Sequence, residues 1–126
     1  MKALTLWQPY AEAIKLGLKK FETRHWRTNY RGLLAIHSSV RPLSRECREL
    51  AEKYGIADMS FGEIVAVCRL EDCILMTGDF IKSQDGTEID FGDWRAGRYA
   101  WRLSDMKVLK KPCKIPGHQG LWNFDF

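Results

Sequence analysis

The stretch "GEIVAVCRLEDCILM", residues 62–76, is the most apolar segment of the chain. Ile64, Val65 and Val67 are β-branched, and such side chains suit a pleated surface better than a helix, so the segment reads as a central strand. Working outward, "GLLAIHSS" (32–39) before it and "RYAWRLSDMKVLK" (98–110) after it have the same character. Shorter strands are expected at "ALTLW" (3–7), "KKFETR" (19–24) and "GLWNF" (120–124). "HWRTNYR" (25–31) is a connecting loop, with Asn29 favouring a turn.

Two helices interrupt these strands. Pro9 suits the first turn of a helix over 9–16, and Gly17 supplies the left-handed residue that ends it, with Tyr10, Ala13 and Ile14 on the packed stripe. In "PLSRECRELAEKYG", Leu43, Cys47, Leu50, Ala51 and Tyr54 recur at helical intervals, which predicts an amphipathic helix ending at Gly55. Residues 77–97 carry Gly, Asp and Ser at short intervals and read as an acidic loop with a short helical turn. The expected class is therefore mainly β with flanking helices (α+β), a small closed or nearly closed β-barrel with two helices packed outside.

A chain of 126 residues is the size of one ordinary domain, expected to span 1–126. Its longest uninterrupted apolar runs, "LLAI" and "IVAVC", are far below the roughly 20 residues that cross a bilayer, so no membrane association is expected. Cys47, Cys68, Cys73 and Cys113 show no C-x-x-C spacing and no apolar leader precedes them, which points to a reducing, cytoplasmic setting. Charge is unevenly spread: residues 1–53 hold 11 Lys or Arg against 5 Asp or Glu, 54–97 hold 3 against 9, and 98–126 hold 6 against 2. If the basic flanks meet in space they form a face that attracts phosphates; equally, they read as solvated surface.

The densest chemistry lies in "GLKKFETRHW", residues 17–26. If 20–26 is extended, Lys20, Glu22, Arg24 and Trp26 share one face and Phe21, Thr23 and His25 the other, with Phe21 the core-facing member. Glu22 would then orient the Arg24 guanidinium, whose planar fork suits a phosphate or a base edge, while Trp26 offers a stacking surface. The plainer reading is an exposed ladder of alternating charges, about 0.2–1 kcal/mol per pair.

The set "LTLWQPYA", "GLKKFETRHW", "RGLLAIHSS", "GEIVAVCRLEDC", "YAWRLSD" and "GHQGLW", in that order, resembles the ASCH family, the module named after activating signal cointegrator 1. The resemblance covers nearly the whole chain. It implies a PUA-like β-barrel with a basic cleft beside its first helix and binding of RNA or another nucleotide-like ligand. It also implies that Gln8, Lys19, Glu22, Arg24 and Trp26 line the cleft, and that the "GHQG" turn lies near it. Some members resemble amidohydrolases that deacetylate N4-acetylcytidine, and others resemble ribonucleases. The amidohydrolase type has a lysine where Lys19 stands and a nucleophilic threonine where this chain has Glu22, so the catalytic assignment is open. If the chain is an enzyme, Lys19 and Glu22 are its candidates, with Glu22 activating water. Thr23 cannot simply substitute, because one step along a strand reverses the face.

Other residues carry weaker signals. The serines have no visible base partner. His25, His37 and His118 lack a ligand spacing, so no metal and no cofactor is expected. Trp7, Trp94, Trp101 and Trp122 read as core or core-edge residues. A protein partner is left unknown.

Overall fold

The computed structural model describes all residues, 1–126. In chain order the elements are β1 (Lys2–Leu6), α1 (Tyr10–Lys15), β2 (Phe21–Arg24), β3 (Gly32–Ser38), α2 (Arg45–Lys53), β4 (Glu63–Leu75), α3 (Gly78–Lys82), α4 (Gly86–Asp90), β5 (Tyr99–Lys114) and β6 (Leu121–Asn123). The six strands form one sheet in the order β2-β5-β4-β3-β1-β6, curled into a half-barrel. The mainly β class expected from the strand pattern is the one observed, consistent with the PUA-like fold that the family resemblance implied, and the apolar run at 62–76 is the long strand β4 inside the sheet.

Pairing is antiparallel except between β1 and β3, which run parallel with Leu4 opposite Ile36. Leu4, Leu6, Leu34 and Ile36 alternate along these two strands onto one face, where they meet Cys68, Leu70 and Trp101. The intervening Ala3 and Ala35 point the other way and join Ile64, Trp122 and Phe124. Each fully buried large side chain here contributes about 1.5–3 kcal/mol relative to exposure.

Helix α1 is buried along Ala11–Ile14. Ala11 and Ile14 pack on the sheet, while Ala13 faces Ala51 of α2, Ile56 and Phe91. Alanines at 11 and 13 let the backbone approach both layers. Segment 77–97 contains more structure than a single turn: α3 and α4 are one-turn helices whose N-caps, Thr77 and Asp85, accept hydrogen bonds from the Phe80 and Glu88 backbone N–H groups. Glu88 is buried and accepts from the Lys20 backbone N–H, tying α4 to the approach of β2, and burial pushes its carboxyl pKa up.

Candidate functional site

Lys19 is delivered to the interior by the way α1 stops. Gly17 adopts φ +79°, Gly17 N–H donates to Ile14 O at 3.0 Å, and Leu18 and Lys19 N–H both donate to Ala13 O, at 2.9 and 3.1 Å. This Schellman-type turn needs a left-handed residue that glycine adopts without strain. It turns the Lys19 side chain inward, where only 2% of the residue remains exposed. Its Nζ donates to Phe91 O at 2.6 Å and lies 3.3 Å from Glu22 Oε1.

Glu22 stands opposite Trp101 across the β2–β5 pair and is itself 5% exposed. Its second oxygen, Oε2, accepts from Arg24 Nε at 2.8 Å. The carboxylate thus bridges an ammonium and a guanidinium, and two cationic partners offset its desolvation.

These three side chains face a recess of about 350 Å³. One wall comes from the end of β1 and the start of α1 (Thr5, Leu6, Trp7, Tyr10), and another from Phe91, Gly92, Asp93 and Arg98. That second wall is fastened to the edge strand: Asp93 N–H donates to Thr23 Oγ1 at 2.9 Å, and Arg98 donates to Thr23 O at 3.4 Å and to Asp93 O at 2.9 Å. A Cβ on Gly92 would sit 2.6 Å from Trp94 Nε1 and 2.9 Å from Thr23 Cγ2, so the close approach requires glycine there. The Asp93 carboxyl is held below its ordinary pKa by the hydrogen bond from Arg95, with Arg98 adding to it.

Of the residues singled out from sequence, Lys19, Glu22 and Arg24 come together in this recess. Gln8 and Trp26 do not line it. Gln8 is 1% exposed; its Nε2 donates to Ser60 O at 2.8 Å and its Oε1 accepts from Glu12 N–H at 2.9 Å, joining α1 to the segment before β4. Trp26 lies past the end of β2, in a bend, so strand alternation no longer governs it; it packs edge-on against Trp101, ring centroids 4.7 Å apart. Phe21 turns from the main core to an edge-on cluster with Phe80 and Trp94.

Trp7 departs from the core placement expected of it: it is 50% exposed on the recess wall. Leu4 and Leu6 take the main-core positions of β1, and residue 7 lies just past the end of the strand, where the chain turns into α1. Tyr10, Thr23, Asp93 and Arg98 were not singled out for the recess. Asp93 and Arg98 come from a segment some 70 residues beyond β2, and no local pattern marks them.

A second recess, about 250 Å³, includes Gly117, His118 and Gln119 of the "GHQG" turn together with Thr5 and His37, and Thr5 belongs to both recesses. His37 Nε2 lies 2.6 Å from Ile115 O; a carbonyl only accepts, so this nitrogen carries the proton and Nδ1 accepts from the Thr5 hydroxyl at 3.1 Å. Trp122 Nε1 in turn donates to Thr5 Oγ1 at 3.1 Å.

A family model, the ASCH domain, matches residues 4–111. The chain belongs to the ASCH family. The match runs from within β1 to within β5 and so includes every residue of the first recess, while the "GHQG" turn and β6 lie beyond it. No curated protein matches the chain by sequence. In this ASCH chain no group of three or more His, Cys, Asp or Glu side chains is placed to hold a metal ion, and no helix is long and apolar enough to cross a membrane. All four cysteines are free, and burial pushes the Cys68 thiol up to about 12.

Chemically, the first recess presents donors whose directions are fixed. Both Glu22 oxygens are engaged by cations, and the Thr23 hydroxyl already accepts from Asp93. Such a constellation is suited to holding a ligand's acceptor groups in a defined orientation.

Proposed function

We propose that the first recess binds RNA or a nucleotide-like ligand, with Lys19, Glu22 and Arg24 as its contact residues and Gln8 and Trp26 supporting it from behind. The observation that carries this reading is the Glu22–Arg24 hydrogen bond at 2.8 Å, which fixes the plane of a guanidinium beside a concave surface. An oriented guanidinium matches the paired acceptors of a nucleobase edge or a phosphate far better than a mobile one. One further fact supports it: ASCH domains are generally RNA-binding.

Affinity for a single-stranded RNA decamer, measured by fluorescence anisotropy between about 50 and 200 mM salt, tests the reading. Binding should weaken steeply with salt, and Arg24→Ala should lose about 1 kcal/mol or more. An affinity that ignores both salt and the substitution overturns it.

A further inference from the structure

Resting on the proposal that the recess takes RNA, we infer that Trp7 and Arg41 form a two-part subsite at its rim: an unpaired nucleobase enters the recess against the Trp7 indole, and the phosphate that follows stays outside on the Arg41 guanidinium. The charge arrangement leads to this division of labour. Inside the recess Lys19 is engaged by Glu22 and Phe91 O, Arg24 by Glu22, and Arg98 by Asp93 and Thr23 O. Three cations therefore face two carboxylates, and every one of them already has a protein acceptor. A phosphate placed there would compete with those carboxylates, whereas a neutral base edge adds hydrogen bonds without displacing them.

Arg41 is different. It forms no ion pair, its backbone N–H alone is hydrogen-bonded, to Ser39 Oγ, and its guanidinium carbon lies 3.5 Å from the Trp7 ring centroid. Stacking holds the guanidinium flat and leaves its in-plane N–H donors open to a phosphate. Trp7 keeps half of its surface open with that face covered, so the remaining ring surface on the recess wall is open to a base. A volume of about 350 Å³ lies near the small end of ligand sites, roughly 300–1,000 Å³, which suits one base and excludes a base pair. The ligand is accordingly single-stranded, with its base turned out of any stack.

The experiment compares wild type, Trp7→Ala and Arg41→Ala against a single-stranded RNA decamer and an abasic ribose-phosphate decamer of equal charge, with circular dichroism confirming that both variants are folded. Wild type should bind the RNA roughly 10-fold or more tightly than the abasic strand, Trp7→Ala should abolish that preference, and Arg41→Ala should keep it while reducing the salt slope by about 1. If wild type binds RNA but Trp7→Ala keeps the full preference, or Arg41→Ala leaves the slope unchanged, the subsite is overturned while the RNA reading stands. If wild type binds neither strand, the RNA reading falls and the subsite falls with it.

Discussion

Glu22 is the residue on which the first recess turns, because it is buried and holds a cation on each oxygen. Replacing it with alanine strands the Lys19 ammonium beside a single carbonyl in a dry environment, a defect of about 3–5 kcal/mol. Urea unfolding of Glu22→Ala should show a loss of that size. Glu22→Gln keeps the volume and one acceptor but not the charge, so it should lose stability by less than Glu22→Ala; a Gln variant as stable as wild type would mean that the charge of the carboxylate is not the issue. Glu22 and Arg24 were legible together because alternation within one short strand puts them on one face, whereas that rule selected Lys20 and only the family resemblance pointed to Lys19, which the turn after α1 brings beside them. Trp26 was misread by the same rule carried too far, since β2 ends at Arg24 and the bend after it resets the side-chain direction. Trp7 stands just past the end of β1, and aromatic bulk suggested the core where the turn into α1 leaves it half exposed.

At the scale of elements, the recess depends on how tightly segment 91–98 lies against β2. Gly92→Ala would push a methyl into Trp94, whose indole N–H donates to Glu88 O at 2.8 Å, and into the Thr23 methyl. The substitution should destabilise by about 1–3 kcal/mol and weaken RNA binding, read by thermal unfolding and anisotropy; unchanged values in both would show that the segment can move aside. The sequence foreshadowed α1 and α2 through Pro9, Gly17 and an amphipathic repeat. It hid α3 and α4 because each is a single turn beginning at a glycine, although Thr77 and Asp85 are capping residues in plain view. It could not reveal that the acidic middle of the chain supplies Asp93 to the same recess as the basic Lys19, because that pairing is set by the sheet order and not by any local pattern.

For the molecule as a whole, the His37 network joins β1, β3 and the segment before β6. Burial lowers the His37 pKa, with His118 lowering it further against a raising hydrogen bond to Ile115 O. A depressed folded pKa means that the unfolded chain binds the proton more readily, so this contribution to stability is full above about pH 6.5 and declines as pH falls through the folded value. The melting temperature should drop between pH 7.5 and pH 5, and His37→Gln should flatten that part of the profile. A variant with an unaltered pH dependence would assign the drop to other groups. The half-barrel itself was only partly legible: strand character is a local property, whereas which edges remain unpaired is decided by contacts over the full length of the chain.

The first strand lies between β3 and β6, and backbone bonds join Phe124 N–H to Met1 O and the Met1 amino group to Phe124 O. During synthesis β1 leaves the ribosome well before β6, and one of its two sides has no partner until residues 121–124 have cleared the exit tunnel. The nascent chain thus carries a bare strand edge for as long as the segment between β1 and β6 takes to be made, and that side of the sheet can be sealed only once β6 has arrived.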